Sequence, residues 1–96
     1  MDGEVAGLVK IHEAPHGINL VIETKDKVYI GRFDSTNGFT ALLHDCDVHA
    51  VADGEDPEPY IRETAKYGVD VKHRDLEIEV MGIERVRLLG EIPKPD

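Results

Sequence analysis

Hydrophobic and polar residues alternate along the first half of the chain, and this alternation predicts β-strands. Ile18, Leu20 and Ile22 are separated by residues that would point to the opposite face, which is the two-residue period of a strand with one buried face. A second strand is predicted over residues 28–34 and a third over residues 39–47. This half of the chain is therefore predicted to form successive antiparallel strands.

Turn residues separate these predicted strands. Residues 25–27 are typical of a tight turn, and Asn37-Gly38 is a strong hairpin signal. Gly31 lies in the middle of the second strand, where it has no side chain to pack. A glycine in this position indicates a bulge or a sharp bend of the kind that a small barrel needs.

An acidic segment with Pro57 and Pro59 follows the third predicted strand. Asp56 is typical of an N-cap, with Pro57 at the first position of a short helix. Five residues would share one face of this helix, and Gly68 would end it. They are Tyr60, Ile61, Thr64, Ala65 and Tyr67.

Two further strands are predicted near the C-terminus. Leu76, Ile78 and Val80 alternate with glutamates, and Val86 and Leu88 alternate with arginines. The last residues, 91–96, carry prolines and acids and are predicted to be exposed.

The N-terminal segment is predicted to be a helix, with four residues on one face. The stretch from Leu8 to Ile11 also fits a strand, so both readings stay open. The four residues of the helical face are Val5, Leu8, Val9 and His12.

Composition favours one small acidic domain spanning residues 1–96. The chain has 96 residues, of which 41% are hydrophobic, and a formal net charge of -9. It has one cysteine, an acidic start and no apolar run long enough to span a bilayer, so a reducing, cytoplasmic location is expected. The net charge opposes non-specific binding to nucleic acid or anionic lipid.

Residues 44–49, written HDCDVH, combine two histidines, two aspartates and the single cysteine. On a regular strand His44 and Cys46 would share one face, with Asp45 and Asp47 on the other beside Leu43. This run lacks the paired spacing of a zinc site, and neighbours two apart on a strand do not meet well enough for Cys-His catalysis. The run is therefore predicted to be the polar end of the third strand, with no metal bound.

The sequence also lacks the common motifs of enzymes and cofactor sites. It contains no GxxxxGK, GxGxxG, HExxH or GxSxG. The chain is expected not to be an enzyme and to bind no cofactor.

Two stretches resemble the conserved motifs of the Sm and LSm family. Residues 22–43 resemble the first Sm motif, and residues 78–89 resemble the second. The resemblance implies a mainly β fold, a small five-stranded bent antiparallel barrel that is Sm-like (SH3-like), usually with an N-terminal helix. The residues that carry the first motif are Lys25, Asp26, Tyr29, Gly31, Phe33, Asn37 and Leu42.

The resemblance divides the chain into segments, with an insertion that contains a short helix between the third and fourth strands. The segments are an N-terminal segment at 1–17, the first motif at 18–47, the insertion at 48–75, the second motif at 76–90 and a tail at 91–96.

The resemblance also implies a closed homo-oligomeric ring, joined through the fourth and fifth strands, of about five to seven copies. In this sequence Glu77 and Glu79 would face outward on the fourth strand, and Arg85 and Arg87 on the fifth. Acids of one copy would then meet bases of the next at cross-strand distance.

Single-stranded RNA is the usual ligand that the resemblance implies. Met81 stands where many members have arginine, and Ala41 where many have asparagine, so a scaffold with weak or altered RNA binding is expected. The remaining RNA-binding candidates are Asn37, Phe39, Thr40, Met81 and Gly82, with Lys25, Lys27 and Arg32 as phosphate contacts.

Two alternative functions remain open from the sequence. One is an ordinary RNA-binding Sm ring that acts like an RNA chaperone. The other is a monomeric SH3-like module that docks a protein through residues 52–75.

Overall fold

The computed structural model describes residues 8–94, and this part of the chain folds into a six-stranded antiparallel sheet with one α-helix. The strand order is β1-β6-β2-β3-β4-β5, so β1 and β5 form the edges of the sheet. The expectation of a mainly β fold is confirmed. The elements are β1 (Leu8–Val9), β2 (Asn19–Thr24), β3 (Lys27–Thr36), β4 (Thr40–Ala50), α1 (Glu58–Tyr67), β5 (His73–Glu79) and β6 (Ile83–Leu88). Short 3-10 turns span Ile11–Glu13, Val80–Gly82 and Leu89–Glu91.

The N-terminal helix is absent from residues 8–13, where the alternative of a strand is correct. Leu8 pairs with Arg87 and Val9 pairs with Val86. A short isolated helix is marginal, whereas the edge of β6 offers backbone partners at once. Val5, the first residue of the expected helical face, lies outside the described residues.

The five predicted strands correspond to β2 through β6, but several boundaries differ from the prediction, most of all the end of β4 and the start of β5. β4 continues to Ala50 because Lys27 and Val28 still pair with Ala50 and His49. β5 begins at His73, so the segment between the strands spans residues 51–72. β1 is a sixth strand. The hydrophobic periodicity of this segment fits a strand and a helix equally well.

The bend predicted at Gly31 is a β-bulge between β3 and β4. Ile30 pairs with Asp47 and Arg32 pairs with His44, so two residues of β4 lie opposite Gly31 alone. Asp45, one of those two, has a φ of 49°. A Cβ atom on Gly31 would lie 2.3 Å from the Cβ of Cys46. Only glycine allows the two strands to approach this closely.

The sheet buries apolar side chains on both faces. We call the face that packs against α1 the second face and the opposite one the first face. The insertion helix lies on the second face through Ile61. Ile61 and Thr64 are the buried helix residues, but the expectation for Tyr67 is wrong, because its ring is exposed. The first face buries Ile11, Ala14, Leu20, Ile22, Phe33, Ala41, Leu43, Cys46, Ile78 and Val86. The second buries Val21, Val28, Ile30, Ile61, Leu89 and Ile92.

Candidate interaction surface

His44 joins three neighbouring strands through both nitrogens of its ring. Nδ1 lies 2.7 Å from Asp75 Oδ1 on β5, and Nε2 lies 2.6 Å from Asp34 Oδ2 on β3. A histidine donates to two carboxylates at once only when both nitrogens are protonated. The hydrogen bonds with Asp34 and Asp75 accordingly raise the pKa of His44. His44 therefore links the edge strand β5 to β4 and β3.

Cys46 is a core residue and does not share a face with His44 as a regular strand would require. The bulge at Asp45 shifts the alternation, so Cys46 follows Leu43 into the interior and is fully buried. Burial is the main cause that raises the pKa of the Cys46 thiol. A nucleophilic cysteine needs the opposite shift.

Asp47 and His49 fasten the helical segment to β4. The buried carboxylate of Asp47 accepts hydrogen bonds from Tyr60 Oη at 2.8 Å and Lys72 Nζ at 3.1 Å. His49 Nε2 donates to Glu55 Oε2 at 2.7 Å, and its ring stacks on Tyr60 at 4.4 Å. Burial, and then Asp47, raise the pKa of Tyr60 well above its ordinary value. Residues 8–94 contain no group of three or more side chains placed to hold a metal ion.

Arg85 and Arg87 do not face outward, so this part of the sequence expectation is wrong. Arg87 is only 4% exposed, and its Nη2 donates to Glu23 at 2.9 Å and to Glu58 at 2.6 Å. Arg85 donates two hydrogen bonds to the Glu23 carboxylate, from Nε at 2.7 Å and from Nη2 at 2.9 Å. The reason is tertiary: β2 places Glu23 directly opposite Arg85, and α1 covers the same face with Glu58.

In the cluster of Glu23, Glu58, Arg85 and Arg87, Arg87 and Glu23 are largely shielded from water, whereas Glu58 and Arg85 are partly exposed. Burial alone would raise the pKa of Glu23, but hydrogen bonds and charges from Arg85 and Arg87 outweigh it, so this pKa lies below its ordinary value. Removing one member of such a cluster leaves a charge without its partner. No local pattern indicates Glu23 and Glu58 as the partners of Arg85 and Arg87, because they lie far from the arginines along the chain.

Glu77 and Glu79 lie on the open edge of β5. Val80 N–H donates to Phe39 O at 2.8 Å, and bonded pairs alternate with non-bonded pairs along an antiparallel ladder. Ile78 is therefore the next residue bonded to β4. The backbone N–H and C=O groups of Glu77 and Glu79 point away from the sheet.

The other edge of the sheet, where β1 pairs with β6, is only partly covered within residues 8–94. β1 pairs with Val86 and Arg87, and among residues 8–94 no other strand pairs with the earlier residues of β6 on that side. A groove of about 590 Å³ runs beside this uncovered part. Its apolar lining comes from Leu8, Val9, Ile11, Val80, Ile83 and Val86.

Five of the expected RNA-binding residues do come together, on two adjoining turns that we call the turn surface (residues 36–40 and 80–82). The hydrogen bond from Val80 N–H to Phe39 O links the two turns. Phe39 is 80% exposed and Met81 is 97% exposed. The five residues are Asn37, Phe39, Thr40, Met81 and Gly82.

The basic candidates do not join the turn surface. Lys25 lies in the turn before β3 and Lys27 is the first residue of β3, whereas the turn surface lies at the other end of that strand. Arg32 donates from Nη1 to Asp45 Oδ2 at 2.9 Å. The structure therefore separates the expected base contacts from the expected phosphate contacts.

No helix within residues 8–94 combines the length and apolar character needed to cross a membrane. Comparisons with protein-family models, curated proteins and solved structures find no match to this chain.

Proposed function

We propose that this chain is an Sm-like scaffold subunit that assembles head to tail through two different strand edges. The observation that carries the proposal is the edge position of β5, where no strand within residues 8–94 pairs with the outward backbone groups of Glu77 and Glu79. An open strand edge is a template for adding a strand from another chain. The resemblance to Sm proteins places ring contacts on the same strand.

The complementary edge in this proposal is the uncovered start of β6. The fourth and fifth predicted strands, β5 and β6, then meet between copies, since they are not paired within one chain. A contact between two different surfaces is heterologous, and it closes into a ring when its rotation permits. A ring of about five to seven copies is the assembly that we propose.

The contact would depend on backbone hydrogen bonds and apolar packing more than on charge. Arg85 and Arg87 are engaged within their own chain, so they do not supply the bases that the sequence suggested. The groove beside β6 offers Leu8, Val9 and Ile83 to an incoming strand.

We do not assign RNA binding to this scaffold. Phosphate contacts need clustered lysine and arginine, and the basic candidates lie away from Phe39 and Met81. The protein-docking alternative is also weakened, because the helical segment packs on the sheet through Ile61.

The experiment is native mass spectrometry of the parent chain and of Glu77→Pro and Glu77→Ala. Proline removes the backbone N–H that points outward at this position and keeps the bonds of Ile78 and Leu76 to β4, a placement that edge strands tolerate. We expect a discrete assembly for the parent and for Glu77→Ala, and a monomer for Glu77→Pro.

Circular dichroism of each variant checks that the fold is retained. A monomeric parent chain at micromolar concentration would refute the ring and favour the protein-docking module. An assembly that Glu77→Pro leaves intact would show that the copies meet elsewhere.

A further inference from the structure

We propose that the turn surface binds an extended polypeptide that carries basic residues on both sides of an apolar residue. Phe39 and Met81 lie on turns and not on the edges of β5 and β6, so this inference does not rest on assembly, although Glu77, Glu79 and Glu84 lie on those two strands. It combines two exposed apolar side chains, a rigid backbone and an acidic surrounding.

The first turn is held in one conformation by its own polar side chains. Asn37 Oδ1 accepts hydrogen bonds from the backbone N–H groups of Phe39 and Thr40, both at 2.8 Å. Thr36 Oγ1 donates to Thr40 O at 2.8 Å and accepts from Gly38 N–H at 3.2 Å. Phe39 is therefore fixed on a backbone that does not fold its ring into the core.

The second turn presents Met81 beside it. The bond between Val80 N–H and Phe39 O holds the two turns together, so Phe39 lies opposite the residue that precedes Met81, at one end of the sheet. Exposed apolar residues that occur singly need no explanation, but adjoining ones mark interaction sites. A methionine side chain adapts its shape to an irregular apolar partner, and an aromatic ring is a common anchor in an interface.

The charges around these two side chains select the partner. Residues 35–42 and 76–84 contain no lysine, arginine or histidine, and they contain Glu77, Glu79 and Glu84, all exposed. Lys10 and His12 lie in the groove beside Val80 and Glu84, together with Glu13. A phosphate backbone would be repelled by these carboxylates, whereas lysine and arginine side chains would be attracted. Charge complementarity therefore indicates a basic polypeptide and not RNA.

Fluorescence anisotropy with a labelled peptide of alternating lysine and leucine tests this inference. We expect the parent chain to bind this peptide and not a glutamate-leucine peptide of the same length. Phe39→Ala with Met81→Ala should weaken binding by at least about tenfold. Both side chains are so exposed that the double variant should keep the melting temperature of the parent.

Matched variants separate the turn surface from general attraction to an acidic protein. Tyr67→Ala removes another exposed aromatic ring, on α1, and should leave the affinity unchanged. Glu79→Gln with Glu84→Gln should weaken binding and reduce its salt dependence, whereas Glu63→Gln with Glu91→Gln should change both less.

Three results would overturn the inference. The first is unchanged affinity in the Phe39 and Met81 double variant, because the attraction would then be purely electrostatic. The second is equal binding of the glutamate-leucine peptide. The third is tighter binding of labelled oligouridine that the double variant abolishes, which would make the turn surface an RNA site.

Discussion

At Gly31, β3 and β4 approach each other too closely for any side chain. A Cβ atom there would lie 2.3 Å from the Cβ and 2.9 Å from the Cα of Cys46, and a backbone atom cannot move away alone. The sequence marked this glycine as a bend. The distance to Cys46 explains why the bend requires glycine.

Gly31→Ala should destabilise the domain by at least about 1–3 kcal/mol, because the added methyl group overpacks the bulge. Gly31→Val should prevent folding. The measurement is the free energy of unfolding in urea, read by circular dichroism. Gly90→Ala is the control, since no atom lies within 4 Å of the Cβ it would add. Equal stability of the two alanine variants would contradict the close approach.

The protonation of His44 makes the free energy of unfolding depend on pH. Its folded-state pKa is raised above the ordinary value of 6.5 by Asp34 and Asp75, so its contribution is fully present below about pH 6.5 and is lost as pH rises through the folded pKa. Asp34, whose pKa is lowered chiefly by its hydrogen bond with His44, acts at the acidic end. Its contribution is lost as pH falls through its own folded pKa.

The stability difference between the parent and His44→Gln should therefore shrink as pH is raised from about 6 to about 9. Urea unfolding of both proteins across that range measures the difference, and the other titrating groups largely cancel. A difference that stays constant or grows would show that the two aspartates do not hold a charged His44.

At the scale of elements, α1 is attached to the sheet by an apolar contact and a polar one. Ile61 is fully buried against β2 and β3 residues, and Glu58 accepts a hydrogen bond from the buried Arg87. The attachment explains why a helix of only ten residues forms in this segment. Tertiary packing stabilises it beyond what its own propensity provides.

Arg87→Met should lower the free energy of unfolding by at least about 2 kcal/mol, because Glu58 and Glu23 lose a buried partner. For a domain of this size that corresponds to a melting temperature about 8 °C lower or more. Arg62→Met is the matched control: its Nε is 3.9 Å from the same Glu58, but its side chain is 47% exposed. Equal effects of the two variants would refute a special role for the buried arginine.

At the scale of the whole molecule, the chain separates its chemistry into distinct regions. The charged cluster of Arg85 and Arg87 lies under α1, the open edge of β5 presents backbone groups, and the turn surface presents Phe39 and Met81. A domain of 96 residues buries a modest core, and self-association through an edge would add to it. The net charge of -9 opposes unspecific aggregation of the same edges.

Much of the strand pattern was predictable because alternation reports directly on which side chains face a core. Leu20 and Ile22 identified β2, although Ile18 lies before this strand and is exposed, and Ile78 with its glutamate neighbours identified β5. Asn37 and Met81 were predicted to belong to one site, and they lie on two turns that the hydrogen bond from Val80 N–H to Phe39 O joins. The two-residue strand β1 was too short for any period to distinguish it from a helix.

The sequence by itself determined the strands β2 to β6, the turns and the bend at Gly31, because these depend on neighbouring residues and on backbone conformations that only some residues adopt. Tertiary structure decided the partners. Arg87 became buried because β2 and α1 bring Glu23 and Glu58 to it, and His44 found Asp75 on a strand far along the chain. Contacts between distant residues depend on how the elements pack, and a local pattern carries no record of that packing.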